Sequence, residues 1–173
     1  ITNHSTGKMG YAIAENAMLR GADVTLVTGP CAMEPPMFVK VKPVISAQDM
    51  YEAVTEEYEQ TDIVIMTAAV ADYRPSTNRC PAAGFPEYSY LTQPLQRSFV
   101  NISQVPEKVK KKEDDMSIPL TRTKDILATL GASKTHQFLC GFSMETQNML
   151  ENSRTKIAKK NLDMIVANNL KVA

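Results

Sequence analysis

Asp62 to Val70 reads DIVIMTAAV, a nearly continuous apolar run with β-branched residues and a single charge at its start. A run of this kind reads as a strand buried on both faces, as in a parallel sheet. The flanking segments carry the same alternation. Upstream, Tyr11 to Arg20 reads as a helix with Ile13, Ala14, Ala17 and Met18 on one face, stopped by Gly21. Val24 to Val27 reads as a strand ended by Gly29-Pro30, and Val39 to Val44 as a second extended stretch. Ala47 to Tyr58 is amphipathic, with Met50, Ala53, Val54 and Tyr58 along one side. Downstream, Phe138 to Phe142 and Met164 to Ala167 are short apolar strands that bracket a helix from Asn148 to Lys160. Strands alternating with helices predict an α/β fold, a three-layer Rossmann-like arrangement with helices on both faces of a mostly parallel sheet. Ligands of such sheets lie beyond the carboxyl ends of the strands, where Thr28, Asp72, Glu145 and Asn168 are the polar groups.

Composition narrows the function classes. The 173 residues are enough for one sizeable core, and 19 basic residues balance 19 acidic ones. That balance argues against a general nucleic-acid binder, which is usually basic. No apolar run approaches the length of a membrane span, and the polar start from Thr2 to Lys8 does not read as a signal peptide. Cys31, Cys80 and Cys140 form no CxxC pair and no zinc pattern, so they read as reduced thiols in a cytoplasmic protein.

The first candidate site is TNHSTGKMG, Thr2 to Gly10. Gly7 and Gly10 allow close backbone approach, and Ser5 and Thr6 can cap the helix that follows. The free N–H groups of that helix start, with Lys8 beside them, suit an anion such as a phosphate. The stretch lacks the first glycine of a Walker A loop, and Lys8 is followed by Met9. A dinucleotide fingerprint is also disfavoured: the spacing is GxxG, and the second strand ends Thr28-Gly29-Pro30 with no acid for a ribose. A capped helix without a ligand is the remaining alternative.

The middle of the chain breaks the pattern. Arg74 to Val105 contains Pro75, Pro81, Pro86 and Pro94 without a clean period. It is followed by PEKVKKKEDD, Pro106 to Asp115, whose charges suit a solvated face.

Five stretches in order, TNHSTGKMG, TAAVADYRP (Thr67 to Pro75), PEKVKKK (Pro106 to Lys112), GFSMET (Gly141 to Thr146) and KNLDMIVANN (Lys160 to Asn169), resemble phosphopantothenoylcysteine synthetase. In bacteria this is often the C-terminal half of a fused decarboxylase/synthetase of coenzyme A biosynthesis. The resemblance implies a ligase that activates 4'-phosphopantothenate with CTP through an acyl-cytidylate and couples it to cysteine. Mg²⁺ is implied as a helper at the phosphates, with no residue assigned as a metal ligand. FMN belongs to the decarboxylase domain, absent from this chain. The implied partners are the three small substrates, with no nucleic acid and no membrane, and a homodimer in the full-length protein.

Residue roles follow from the same resemblance. Asn3 matches the family's catalytic amide, a donor to the acyl-nucleotide that adds no charge. Lys108 matches a lysine on a mobile active-site flap that closes over the nucleotide and excludes water. Ser5, Thr6, Gly7 and Lys8 match the anion-binding turn. Ala68, Ala69 and Asp72 match nucleotide contacts, with Asp72 on a ribose hydroxyl or the base. Lys124, Asp125, Ile126 and Leu127 match a nucleotide-binding segment, although this chain has Lys124 where relatives often have proline. Phe142 matches a residue packed near the base. Lys156 and Lys160, four apart on a helix, match two lysines of the nucleotide site.

The domain reading is one synthetase domain over residues 1–173, truncated at both ends, with 75–105 as an inserted or disordered loop. The alternative reading is a nucleotide-binding Rossmann-type module, either an NAD(P) or flavin oxidoreductase domain or a relative that has lost turnover.

Overall fold

A computed structural model of the chain describes residues 6–76, 120–145 and 148–169. By its internal contacts the chain divides into two units. The first is Ile1–Arg74 with Arg122–Ala173, and the second is Pro75–Thr121. Of the second, only residues 75, 76, 120 and 121 are among those described. The segment read as an inserted loop and the flap around Lys108 therefore fall outside the described residues, apart from Pro75 and Ser76.

In chain order the first unit begins with α1 (Lys8–Leu19), β1 (Thr25–Thr28), β2 (Lys40–Pro43), α2 (Ala47–Tyr58) and β3 (Ile63–Met66). It closes with α3 (Ile126–Ala132), β6 (Phe138–Glu145), α4 (Met149–Lys160) and β7 (Met164–Asn169). The short strands β4 (Tyr73–Pro75) and β5 (Leu120–Arg122) pair as a two-stranded ribbon. The remaining pairs are parallel. β1 lies beside β2, with Thr25 opposite Lys40. β6 lies between β3 and β7, with Ile63 opposite Phe138 and Cys140 opposite Met164. The expected α/β pattern with mostly parallel pairing is therefore present. No helix among the described residues is long and apolar enough to cross a membrane.

Local chemistry explains the element ends. Ser46 caps α2 by accepting from the Asp49 N–H at 3.1 Å, while the Asp49 carboxylate accepts from the Ser46 N–H at 2.8 Å. This reciprocal pair satisfies two donors that the first turn leaves free. Those backbone donors hold the Asp49 pKa below its usual value. Asp125 caps α3 in the same manner, accepting from the Ala128 N–H at 3.0 Å. Asn161 ends α4 in the left-handed region at φ 51°, and its side-chain amide donates to the Gly131 carbonyl at 2.9 Å.

Two readings need correction. First, α1 starts at Lys8 and has Gly7 as its N-cap residue, with no side-chain cap. Thr6 does not cap it; its carbonyl accepts from the Cys31 thiol instead. Second, the run from Asp62 to Val70 is not a strand buried on both faces. The strand stops at Met66, and Ile63 and Ile65 remain 60% and 41% exposed. Among the described residues, the face bearing Val64 and Met66 packs on the core. From Thr67 onward the chain leaves the sheet.

That core joins Val44, Met50, Tyr58, Ile126, Leu130, Leu139 and Leu162. Leu130 and Leu139 are 1% and 0% exposed, and each such burial is worth about 1.5–3 kcal/mol. Polar groups at its edge are matched. The Tyr58 hydroxyl donates to the Leu130 carbonyl at 2.8 Å, and the Gln137 amide donates to the Tyr58 carbonyl at 3.2 Å. The Asp163 carboxylate accepts from the Leu139 N–H at 2.7 Å and from Lys134 at 3.0 Å, which ties the entry of β7 to β6. Those two donors keep the Asp163 carboxyl below the usual range.

Helices α3 and α4 approach backbone to backbone at Gly131. A Cβ at that position would lie 1.9 Å from the Lys160 carbonyl oxygen, so only glycine fits. Gly131→Ala should destabilise the fold by roughly 1–3 kcal/mol, as overpacking of a tight contact does. Urea unfolding checks this, and an unchanged midpoint would show that the two helices separate without cost.

Candidate functional site

Where β3 ends, the chain turns along one wall of a cleft of about 160 Å³. That wall is Met66, Ala68, Val70, Ala71 and Asp72. The opposite wall is the approach to α3 and its first turn, Thr123 to Leu127, with Phe142 from β6 and Lys160 from the end of α4 completing the lining. The position, beyond the carboxyl end of β3, is where parallel α/β sheets take ligands. Small-molecule sites usually enclose about 300–1,000 Å³, so this volume suits one portion of a nucleotide rather than the whole.

The walls are joined by hydrogen bonds. The Thr123 N–H donates to the Asp72 carbonyl at 2.9 Å, and the Thr123 hydroxyl donates to the Ala71 carbonyl. These bonds fix the Asp72 backbone against the segment that leads into α3. Lys160 Nζ lies 2.8 Å from Asp125 Oδ2, and both residues line the cleft. Burial pushes the Asp125 pKa up, but the Lys160 ammonium and the Ala128 N–H outweigh it, and the carboxyl sits below its usual value. Lys124 Nζ rests 4.2 Å from the centroid of the Tyr51 ring.

Of the residues expected to bind nucleotide, the cleft gathers Ala68, Asp72, Lys124, Asp125, Ile126, Leu127, Phe142 and Lys160. Thr6, Gly7, Lys8, Ala69 and Lys156 are not in its lining. Asn3, Ser5 and Lys108 lie outside the described residues. Met66, Val70, Ala71 and Thr123 line the cleft and were not singled out from sequence. The signal for Thr123 was its place just before Lys124–Leu127, and that for Val70 and Ala71 was their place in TAAVADYRP; Met66 carried none.

The N-terminal turn has its own geometry. Gly7 adopts φ 75°, a conformation open to glycine at little cost. A Cβ on Gly7 would lie 2.8 Å from Cys31 Sγ, and one on Gly10 would lie 2.8 Å from the Thr67 hydroxyl oxygen. The close approach expected at both glycines is thus made to protein atoms. It sets α1 beside Thr67, one residue from the cleft wall at Ala68.

Lys156 and Lys160 share a helix face but serve different carboxylates. Lys156 Nζ donates to the Ser143 hydroxyl at 2.9 Å and to Glu145 Oε1. Glu145 Oε2 also accepts from the Asn152 amide at 3.0 Å, so the glutamate is tied to the side of α4 and does not cap it. Among the described residues no group of three or more His, Cys, Asp or Glu side chains stands together as a metal site. Cys31 and Cys140 are free thiols, and Cys80 lies outside the described residues.

Glu145 carries a pH prediction. Lys156, then Asn152 and Ser143, hold its pKa at about 2, against 4.5 for an unperturbed glutamate. A carboxylate lowered by folding stabilises the native state above its unfolded value and loses that contribution as pH falls through the folded one. Glu145→Gln should reduce stability near neutral pH and flatten the decline of stability between pH 4.5 and about 2. Urea midpoints measured across that window test it; parallel curves for the two proteins would remove the linkage.

Comparison with known proteins gives a consistent set of relatives. The family described as "DNA/pantothenate metabolism flavoprotein C-terminal domain" matches residues 1–80 and 99–173. The coenzyme A biosynthesis bifunctional protein CoaBC of Bacillus subtilis (strain 168) is 43% identical over 98% of this chain, and that of Escherichia coli (strain K12) is 40% identical over 98%. The chain spans 36% of the length of each. The crystal structure of the C-terminal domain of a coenzyme A biosynthesis bifunctional protein CoaBC is similar with a TM-score of 0.72 and 43% identity. The similarity covers 98% of this chain and 67% of that one. The DNA/pantothenate metabolism flavoprotein from Streptococcus pneumoniae shares the fold at a TM-score of 0.74 with 22% identity, covering 100% of this chain and 76% of that one.

Proposed function

Since the chain belongs to the DNA/pantothenate metabolism flavoprotein C-terminal domain family, we propose that it is the synthetase part of a coenzyme A biosynthesis enzyme, a phosphopantothenate–cysteine ligase that uses CTP. The observation that carries this reading is the convergence of Asp72, Lys124, Asp125, Phe142 and Lys160 on one cleft from four separate stretches of sequence.

The chemistry has two steps. The carboxylate oxygen of 4'-phosphopantothenate attacks the α-phosphorus of CTP, the bond to the β-phosphate oxygen breaks, and pyrophosphate leaves. The amine of cysteine then attacks the acyl carbon, the amide C–N bond forms, and the bond to CMP breaks as the amine releases a proton. The first step brings two anions together, so cations and fixed donors must neutralise the approach.

The residues divide that task. Phe142 gives the base an apolar wall, and Asp72 accepts from a ribose hydroxyl or the base. Lys124 and Lys160 meet phosphate oxygens, with Lys160 released from Asp125 as the ligand enters. Lys156, one turn before Lys160, adds a further cation at the edge of the site. Ser5, Thr6, Gly7 and Lys8 form an anion-binding turn, and Ala68 and Ala69 supply backbone to the nucleotide. Asn3 donates to the acyl-nucleotide carbonyl, and Lys108 closes over the nucleotide from its flap. Mg²⁺ would arrive on the triphosphate and offset its charge. One or two carboxylates suffice for such an ion, and Asp72 and Asp125 border the cleft. The enzyme is cytoplasmic and acts as a dimer in its full-length form.

Pyrophosphate release that requires both 4'-phosphopantothenate and CTP tests the reading. Release with CTP replaced by ATP at equal rate would overturn the CTP preference, and binding of NAD alone would favour the oxidoreductase reading. Asp72→Ala should raise the KM for CTP about tenfold, the loss of one good hydrogen bond to a charged group. Asn3→Asp should leave pyrophosphate release in place and slow amide formation, because it sets a negative charge beside the acyl-nucleotide. Separate measurement of pyrophosphate and amide product distinguishes these outcomes; full activity of the Asn3 variant would remove that residue from the catalytic set.

A further inference from the structure

The cleft holds two lysines in unlike electrical states. Lys160 is paired with Asp125 at 2.8 Å. Lys124 lines the same cleft, together with Asp72 and Asp125, and none of the ion pairs among the described residues involves it. Its ammonium sits over the ring of Tyr51, 4.2 Å from the centroid. An aromatic face attracts a cation through its quadrupole and carries no net charge. The contact therefore fixes where the ammonium stands without discharging it, whereas a carboxylate partner would compete with an incoming phosphate.

Tyr51 itself is held by the fold. It lies on α2, whose N-terminus is locked by the Ser46–Asp49 pair, and its ring is half-buried against the core cluster. The ring is thus anchored in the core, with the Lys124 ammonium resting on it.

We propose that Tyr51 is a positioning residue of the cleft, holding the Lys124 ammonium, with its charge uncompensated, for a phosphate group of the nucleotide. The proposal rests on the nucleotide reading given above. The Tyr51 ring limits the positions open to the long Lys124 side chain, so less freedom is lost when a phosphate arrives. Lys160 must exchange one anion for another, and Lys124 need not.

The test uses the full chain and calorimetric titration with CTP, inorganic tripolyphosphate and cytidine. Tyr51→Leu keeps an apolar side chain on α2 and removes the ring face. It should weaken CTP and tripolyphosphate by roughly three- to tenfold, and leave cytidine unaffected. Tyr51→Phe, which restores the ring, should restore the affinity. Lys124→Gln should produce a similar loss and a shallower dependence on salt, and the double variant should bind no worse than Lys124→Gln alone. In the wild-type protein the Lys124 Cε protons should show an upfield ring-current shift by NMR, absent from Tyr51→Leu. Normal CTP affinity of Tyr51→Leu, fully additive losses in the double variant, or an unshifted Lys124 signal would each overturn the proposal. The NMR signal decides it even if Tyr51→Leu fails to fold. Binding of tripolyphosphate without CTP would end the nucleotide reading while the Tyr51 variants still decide this one; binding of neither would end both.

Discussion

The contact of α3 with α4 at Gly131 sets the geometry of the cleft. The Lys160 carbonyl occupies the space where a side chain at residue 131 would stand, and the Asn161 amide closes the gap by bonding to the Gly131 carbonyl. At the other end of the seven-residue α3, the cap residue Asp125 receives the Lys160 ammonium. Lys160 therefore lies along the short helix, its backbone at one end and its charge at the other. α3 spans about 10 Å at 1.5 Å per residue, and the side chains of Lys160 and Asp125 close that distance together. The ion pair is half exposed and by itself contributes little stability. Its role is alignment: the close helix contact fixes the backbone from which Lys160 extends, and the cap fixes the carboxylate that receives it.

Around this clamp, the end of β3 supplies the second wall. A parallel strand that stops at Met66 must deliver its chain beyond the sheet, and residues 67–72 do so over the start of α3. The Thr123 bonds to Ala71 and Asp72 hold that excursion in place. The cleft is consequently built from two loops anchored on rigid elements, with an aromatic side chain from β6 between them. Its acids and lysines alternate along the chain, and Lys160 is paired with Asp125; in the proposed nucleotide reading, a phosphate displaces Asp125 at Lys160 and approaches Lys124 directly. The Lys156–Glu145–Ser143 group forms a neighbouring, separately satisfied network on α4 and β6.

Residues with a periodic or capping signal were legible in the sequence. Ala47–Tyr58 is helical over the whole predicted range, because an apolar stripe and the Ser46 cap agree there. The β6 and β7 strands are longer than expected, reaching Glu145 and Asn169, since parallel pairing carries their polar ends as well as their apolar centres. α3 was missed as a helix because seven residues show too little period to read, although Asp125 before ILATLGA is a cap signal in retrospect. The overreading of DIVIMTAAV has a similar cause. An apolar run signals burial without saying which part is strand: beyond Met66, Ala68 and Val70 line the cleft, and Val70 also packs against the core.

The α/β class and the order of the longer helices and strands were determined by sequence alone, since they depend on local periodicity and turn signals, while the family resemblance supplied the identities of most cleft residues. Tertiary structure decided which of those residues meet. Lys156 and Lys160 are equivalent on a helical wheel, yet one faces Glu145 and the other Asp125, because those carboxylates come from segments distant in the chain. Thr123 and Tyr51 acquire their partners in the same manner, and no local pattern encodes a contact that exists only once helices and strands have packed.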